Sequence, residues 1–248
     1  MLGDTPYSQA EVRKLDDLIG RLDAQPLAFV VHVGDLGSSA RDQGCSDAWL
    51  EARKRQFAAI RHPFVIIPGD NEWSDCAGHR LDPQARLARW RSLFCTTVPR
   101  LDLERQADSC ENVRWSAGGQ YFIGLNVPGK GKNPASEAHM ANVFEWLDES
   151  LAKADSLRAQ RIFVFIHADP YFERDDPKDG YAHLRKVLAT HAGWLGGGRL
   201  TLVHGDTHIY RQDQPLPGLR RLVVWGSPFV SWIRVTASAK SVTADVGW

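Results

Sequence analysis

Amphipathic stretches and continuous apolar runs alternate along this chain. Ser8-Gln-Ala-Glu11 is typical of a helix-capping box, and the apolar residues after it recur at helical spacing as far as Pro26. Similar patterns predict four further helices, over about 47–60, over 82–94, after Ser136 as the capping residue, and over about 180–192. Apolar runs typical of strands buried on both faces of a sheet lie between them, at 28–33, 64–67, 161–166 and 200–204.

The remaining β structure is predicted as hairpins. Segments 113–116 and 121–127 flank Ala-Gly-Gly, as the strands of a hairpin would, whereas the polar segment 95–112 predicts irregular structure. The tail from Leu222 alternates as three antiparallel strands would. Because strands and helices alternate as far as residue 204, we expect an α/β fold with helices on both faces. The 248 residues contain no internal repeat, which predicts a single domain over 1–248.

Polar groups follow the predicted strands, where open α/β sheets place their binding sites. Six positions supply carboxylate or imidazole groups that we expect to converge: Asp4, Asp35, Asp70 or Asn71, His167, His204 and His208. Mixed oxygen and nitrogen donors suit two divalent transition-metal ions such as Mn, Fe or Zn. Two such ions could share one carboxylate and a bridging hydroxide, which is a nucleophile near neutral pH.

The polar motifs resemble those of the calcineurin-like metallophosphoesterase superfamily. The resemblance rests on four motifs that occur in the superfamily's order: Gly34-Asp35, Gly69-Asp70-Asn71-Glu72, His167 and His204-Gly-Asp-Thr-His208. It implies a four-layer α/β/β/α sandwich, in which two mixed sheets are flanked by helices and a dinuclear site lies at the strand ends. It also implies which residues hold each ion: Asp35 bridges both, Asp4 and His208 hold the first, and Asp70, His167 and His204 hold the second.

The opening motif departs from the superfamily's pattern. The usual Asp-x-His is replaced by Asp4-Thr-Pro-Tyr7, so that water or Tyr7 would complete the first metal site. Relatives such as purple acid phosphatases use a tyrosine at the position of Ser38 instead. Only three residues precede Asp4, so the strand before it is either trimmed or a stub.

The second motif departs as well. Asp70 stands where the superfamily has a neutral Asn ligand, although an alternative register makes Asn71 the ligand. In the preferred register, Asn71 occupies the catalytic and substrate-binding position of a histidine that commonly protonates the leaving group. Losing that general acid removes a contribution of about 10²–10⁴ in rate. His32, His79 or Glu72 would have to supply the proton, or the enzyme would favour leaving groups that need none.

A further substrate-binding candidate is Asn126, with the Gly-Lys loop at 129–132 behind it. These residues would line the phosphate pocket, or form an ordinary solvated turn.

The composition limits the partners. Thirty basic and thirty acidic residues cancel, so charge gives no reason to expect nucleic acid or an anionic membrane. No run reaches the roughly 18 apolar residues of a spanning helix. The expected partner is therefore a small-molecule phosphate ester.

Four cysteines allow three pairings, of which we expect Cys45–Cys76 and Cys95–Cys110. The first pair follows two predicted site loops, and the second flanks a single excursion of the chain. Paired cysteines favour a periplasmic or secreted protein whose export signal is absent from this chain, and four reduced thiols in a cytoplasmic enzyme are the alternative.

We therefore expect a metal-dependent phosphoesterase that hydrolyses phosphate mono- or diesters by attack of a metal-bridging hydroxide at a dinuclear centre. The alternative is a catalytically impaired protein on the same fold that binds metal or a phosphate ligand, because two motifs are altered.

Overall fold

A computed structural model describes residues 1–41, 43–129, 134–174 and 180–247, with the side chains of 134–138 left out. Its α-helices are α1 (Gln9–Asp23), α2 (Asp47–Phe57), α3 (Pro83–Phe94), α4 (Pro134–Ser156) and α5 (Ala182–Leu195). All five predicted helices are present. Ser8 caps α1 and Asp82 caps α3 through their side chains, as their positions predict. The prediction of Ser136 as a cap is wrong, because α4 begins two residues earlier.

Seven strands form one mixed sheet in the order β3-β4-β5-β6-β7-β9-β8. They are β3 (Glu104–Gln106), β4 (Ser109–Ala117), β5 (Gln120–Gly124), β6 (Arg161–Phe165), β7 (Leu200–His204), β8 (Arg211–Leu216) and β9 (Leu219–Val223). Strands β5, β6, β7 and β9 run parallel, and the outer strands are antiparallel to their neighbours.

Two predictions for the β structure are wrong. The segment 95–112 contains β3 and the start of β4 rather than irregular structure alone. The tail from Leu222 does not form three antiparallel strands. It begins with the end of β9, which lies between the parallel β7 and the antiparallel β8, and it continues with β10 (Trp232–Ala237) and β11 (Val242–Gly247), which form a separate antiparallel hairpin. The local alternation of apolar and polar residues does not show which distant strand a segment pairs with.

A second sheet is built from β1 (Val30–His32), β2 (Phe64–Ile66), β10 and β11. The first residues of the chain join its two halves. The Leu2 N–H donates to the carbonyl of Val31 (3.0 Å), and the N–H of Ile233 donates to that of Met1 (2.8 Å). Asp4 thus follows a stub strand between β1 and β10.

Three apolar cores separate four layers. The core between the sheets includes Val31, Val65, Phe163 and Val203. On β6, Ile162 and Val164 point the other way and pack with residues of α4 and α5, since alternate side chains face opposite sides of a sheet. A third core joins α1, α2 and α3 to β1 and β2. The arrangement is α/β/β/α, which confirms the predicted fold class.

No helix in the described ranges combines the length and apolarity needed to cross a bilayer.

Candidate metal centre

The predicted ligands lie where strands end, at one edge of both sheets. Asp4 follows the stub strand and Asp35 follows β1; Asp70 follows β2, and His167 follows β6. The loop after β7 carries the last of them, His208. This edge collects the carboxyl ends of parallel strands, where α/β sheets place their sites.

Asp35 makes the densest contacts in the centre. Its Oδ2 accepts hydrogen bonds from the Tyr7 hydroxyl and the Asn71 side-chain amide, both at 2.7 Å, and its Oδ1 accepts from the Asn71 N–H at 3.1 Å. Burial, followed by the charge of Asp35, raises the pKa of Tyr7 well above its usual value. Tyr7 is therefore a protonated donor that orients the Asp35 carboxylate.

His167 presents one ring nitrogen to the acidic groups. Its Nδ1 lies 3.0 Å from the carbonyl of Val33, to which it donates. Its Nε2 lies 3.0 Å from Oδ1 of Asp70 and 3.4 Å from Oδ1 of Asp35, yet neither contact has hydrogen-bond geometry. Burial lowers the pKa of His167, but the neighbouring carboxylates, Asp35 first, raise it well above its usual value.

His208 and Asp4 form a second contact. The Nδ1 of His208 donates to the carbonyl of Ser227 at 2.8 Å, which leaves Nε2 to face Oδ1 of Asp4 at 3.5 Å. Asp4 is fully buried, and its Oδ2 has no hydrogen-bond partner. Burial is the largest cause that raises the pKa of Asp4, and the charge of Asp35 adds to it. A backbone contact that fixes the other ring nitrogen is typical of metal-binding histidines.

Two groups of ligand atoms are close enough to hold ions. One contains Asp4, Asp35 and His167, the other contains Asp70, His167 and Asp206, and within each group the atoms lie within 4.8 Å of one another. A third such group, Cys95, Cys110 and Glu111, is not a ligand set, because both sulfurs form a disulfide. The orphaned Asp4 Oδ2 and His167 Nε2 show that the first two groups fit divalent metals.

The backbone at this centre is unusual. Asp4, Asp35, Asp206 and His208 have φ values of 52°, 61°, 67° and 61°, in the left-handed region that costs energy for residues other than glycine. Such conformations cluster at functional sites, where the surrounding structure enforces them.

Solved structures share this architecture. A dimetal phosphatase from Danio rerio superposes with a TM-score of 0.60 at 13% identity, over 91% of this chain and 86% of that one. PhoD gives a TM-score of 0.59 at 13% identity over 91% of this chain, which spans 55% of PhoD. The chain has a metallophosphoesterase-type fold. No protein-family model matches it, and no curated protein does either.

In this metallophosphoesterase-type fold, His204 lies outside both ligand groups. It is fully buried, and its Nδ1 contacts the carbonyl of Gly205 at 3.0 Å. Its Nε2 lies 4.0 Å from Asp169 and has no hydrogen-bond partner. Burial lowers its pKa to about 4, so the ring is neutral. Its role as a ligand stays a prediction.

Asp206 joins the second group although sequence reasoning passed over it. It lies in the loop after β7, between His204 at the strand end and His208. The available signal was its residue type, since a carboxylate between two candidate ligands is itself a candidate.

Asp70 and Asn71 occupy different parts of the centre. Asp70 belongs to the second ligand group. The Asn71 side-chain amide instead donates to Asp35 and to the carbonyl of Gly37 (2.9 Å), and it lies 3.1 Å from the Tyr7 hydroxyl. The geometry therefore favours the register with Asp70 as the ligand.

Asn126 belongs to neither ligand group. It is fully buried: its N–H donates to Asn112 at 2.7 Å, and its carbonyl oxygen lies 2.8 Å from Nε2 of His139. Its role in substrate binding stays a prediction. Of the loop behind it, Gly129 contacts Asp70, and 130–132 lie outside the described residues.

Two of the alternative proton donors, His32 and Glu72, are buried and hydrogen-bonded to the backbone. His32 is fully buried between the Thr5 carbonyl and the Gly34 N–H. Both oxygens of the buried Glu72 accept backbone hydrogen bonds, from Asp35 (3.0 Å), Leu36 (2.6 Å) and Gly69 (2.7 Å). Glu72 therefore ties the loop after β1 to the loop after β2.

A disulfide ties the same two loops. Cys45 and Cys76 are bonded, and so are Cys95 and Cys110, which confirms both predicted pairings. Both sulfurs of the first bridge lie 3.6 Å from the carbonyl oxygen of Asn71. The bridge thus supports the backbone next to the centre.

Proposed function

We propose that this protein hydrolyses phosphate esters with the help of two divalent metal ions. One observation carries the proposal: Nε2 of His167 is fully buried, has no hydrogen-bond partner, and belongs to two groups of ligand atoms that together contain four carboxylates. A buried polar atom without a partner is costly unless something binds it. The fold is that of a dimetal phosphatase, which supports the same conclusion.

Asp4, Asp35 and His208 would hold the first ion, and Asp35, Asp70 and His167 would contribute to the second. Ions of this kind, when bound, supply a nucleophile from water near neutral pH and neutralise charge on the phosphoryl group. The chain's own contribution is orientation: Tyr7 and Asn71 fix the Asp35 carboxylate, and backbone carbonyls fix the histidine rings.

The substrate would be a small phosphate ester with a good leaving group. Asn71 stands at the position expected for an imidazole acid, and its amide is bonded to Asp35 and Gly37. His32 and Glu72 are buried away from the surface. Aryl esters, whose leaving group needs no proton, would therefore react faster than alkyl esters.

The test is hydrolysis of p-nitrophenyl phosphate and bis-p-nitrophenyl phosphate by the protein loaded with Mn²⁺, Zn²⁺ or Fe²⁺. We expect turnover by the wild type and its loss in Asp35→Ala and His208→Ala. His191→Ala, which changes a histidine on α5 that faces Asp148, is the matched control and should keep full activity. Undiminished hydrolysis by either site variant would refute the proposed centre.

The side-chain amide of Asn71 is already hydrogen-bonded to Asp35 and Gly37, which favours a second candidate function. In it, the protein has the same fold and binds metal or a phosphate ligand, but its catalysis is impaired. It predicts one ion or none per chain and no turnover of any activated ester after metal loading. Measured metal content together with the ester panel separates the two candidates.

We further infer a periplasmic or secreted location. Two disulfides are typical of proteins in oxidising compartments. Alkylation of whole cells before lysis should find all four cysteines blocked in the native protein, and free thiols at these positions would contradict the inference.

A further inference from the structure

Asp206 is held in place by both neighbouring parts of the centre. Its N–H donates to Oδ1 of Asp4 at 2.9 Å, and its Oδ2 accepts from the N–H of Asp169 at 3.4 Å. Its φ of 67° is left-handed, like that of Asp4, Asp35 and His208. The preceding Gly205 permits this approach, because a Cβ there would lie 2.3 Å from Oδ2 of Asp4.

The carboxylate of Asp206 faces the same point as Asp70 and His167. One oxygen of each aspartate and one ring nitrogen of His167 lie within 4.8 Å of one another. The ring nitrogen is Nε2, the buried atom that lacks a hydrogen-bond partner and lies 3.0 Å from Asp70. This unpartnered nitrogen marks a ligand position independently of the acidic residues around it.

No lysine or arginine among the described residues balances the acidic charge at this point. In the part of the chain that the structure describes, neither Asp70 nor Asp206 forms an ion pair with a lysine or arginine. Asp70 and Asp35 are almost fully buried. Buried carboxylates without a cationic partner are costly, and a bound cation removes that cost.

We propose that Asp206 is a ligand of the second metal ion, and that Asp35, Asp70, Asp206 and His167 form an oxygen-rich site for a hard divalent cation. This rests on the proposed dinuclear function and deepens it. The site has three carboxylates and one imidazole, a composition that shifts relative preference from Zn²⁺ toward Mn²⁺, Mg²⁺ or Ca²⁺. The first site, with His208, remains a separate centre, so the two ions are chemically different.

His204 belongs to neither group of ligand atoms, so in this site Asp206 takes the place predicted for it. Its Nε2 faces Asp169 at 4.0 Å, and the N–H of Asp169 donates to Asp206. A change at His204 therefore removes no atom of either ligand group, and a change at Asp206 removes one directly. His204 ends β7 two residues before Asp206, which makes His204 the matched control.

The experiment measures Mn²⁺ and Zn²⁺ bound to the full chain by equilibrium dialysis with elemental analysis. Electron paramagnetic resonance of the Mn²⁺ form adds a second readout, because two neighbouring ions give a coupled spectrum and an isolated ion gives six lines. The proteins are the wild type, Asp206→Asn, Asp206→His and His204→Gln, each checked for folding by circular dichroism.

We expect two Mn²⁺ ions and a coupled spectrum for the wild type and for His204→Gln. Asp206→Asn should bind the ion of the second site at least about 10-fold more weakly than the wild type, so that one ion per chain is lost on dialysis. Its Mn²⁺ form should show the six-line spectrum of an isolated ion. Asp206→His should keep two ions and prefer Zn²⁺ over Mn²⁺ by about 10-fold more than the wild type, because an imidazole replaces an oxygen donor.

Wild-type Mn²⁺ binding by Asp206→Asn, or loss of an ion in His204→Gln alone, would overturn the assignment. If Asp206→His binds Zn²⁺ and Mn²⁺ in the same ratio as the wild type, the oxygen donors do not set the metal preference of the second site. Two ions bound without hydrolysis of any ester would refute the proposed function and leave Asp206 as a ligand. Absence of any bound ion in the wild type would refute both.

Discussion

At the scale of the residue, Tyr7 and Asp35 show how this chain compensates for an altered motif. Asp4 is followed by Thr and a proline instead of a second ligand, and Tyr7 brings its hydroxyl to the carboxylate that both ions would share. The Tyr7 ring also packs edge-on against His208, with centroids 5.2 Å apart. One side chain thus contacts both a carboxylate and an imidazole that we propose as metal ligands.

We expect Tyr7→Phe to weaken metal binding by about 10- to 100-fold, the effect usual for a partner that orients a ligand. The phenylalanine keeps the ring packing and removes only the hydrogen bond to Asp35. Isothermal titration with Mn²⁺ measures the change, and Tyr210→Phe, which removes a hydroxyl 3.3 Å from Gln212, is the control. Equal affinities for both variants would contradict a role of Tyr7 at the centre.

Several site residues were predictable because they are polar and directly follow apolar runs, at the strand ends where α/β sheets place their binding sites. Asp35, Asp70 and His167 stand at such points, and the structure brings them together. The environments of Asn126 and His204 were not predictable, since local sequence does not show that a side chain faces a distant polar group.

At the scale of the element, the loops after β1 and β2 behave as one unit. Glu72 accepts three backbone N–H groups across them, and the Cys45–Cys76 disulfide joins them again. The backbones are also in close contact, because a Cβ on Gly34 would lie 2.4 Å from the nitrogen of Gly69. Asp35 and Asp70 therefore hold a fixed spacing.

The two disulfides should differ in what their loss changes. The double variants Cys45→Ser/Cys76→Ser and Cys95→Ser/Cys110→Ser should each lose about 3 kcal/mol of unfolding free energy, because loops of 31 and 15 residues are released. Only the first should also weaken Mn²⁺ binding, since only that bridge supports the ligand loops.

Urea unfolding and metal titration of both double variants test this difference. A similar loss of metal affinity in the two would show that the Cys45–Cys76 bridge has no local effect on the centre.

Two of the helices were predictable from their caps, while some strands were not predictable from local sequence. Ser8 and Asp82 predict where α1 and α3 begin, because a capping side chain bonds a backbone N–H only two or three residues away. Strand β8 is polar and lies at the sheet edge, so it lacks the alternation that marks a half-buried strand. Strand β9 is placed by its pairing with β7, which lies across a loop and an intervening strand.

At the scale of the whole molecule, acid stability depends on charge pairs that join the layers. Glu104 on β3 bonds Arg114 on β4 and Lys153 on α4. Chiefly because Arg114 donates to it, the pKa of Glu104 falls to about 2 from an ordinary value of 4.5. A depressed carboxylate pKa stabilises the fold above pH 4.5, and the contribution is lost as pH falls toward 2.

We therefore expect Glu104→Gln to lower the urea midpoint at pH 7 and to have a progressively smaller effect between pH 4.5 and 2. Glu145→Gln, which changes an exposed glutamate on α4, serves as the comparison for a general loss of surface charge. A difference between Glu104→Gln and the wild type that is constant from pH 7 to pH 2.5 would show that the pair does not stabilise the fold.

The Cys45–Cys76 bridge also bears on how the protein matures. A chain still in a reducing environment would have only hydrogen bonds between these two loops, and the ions proposed to bind there would exchange more readily. Oxidation would come first and firm cation uptake second. The supply of ions in the compartment where the cysteines pair, rather than in the one where the chain is synthesised, would then decide which metals the finished protein carries.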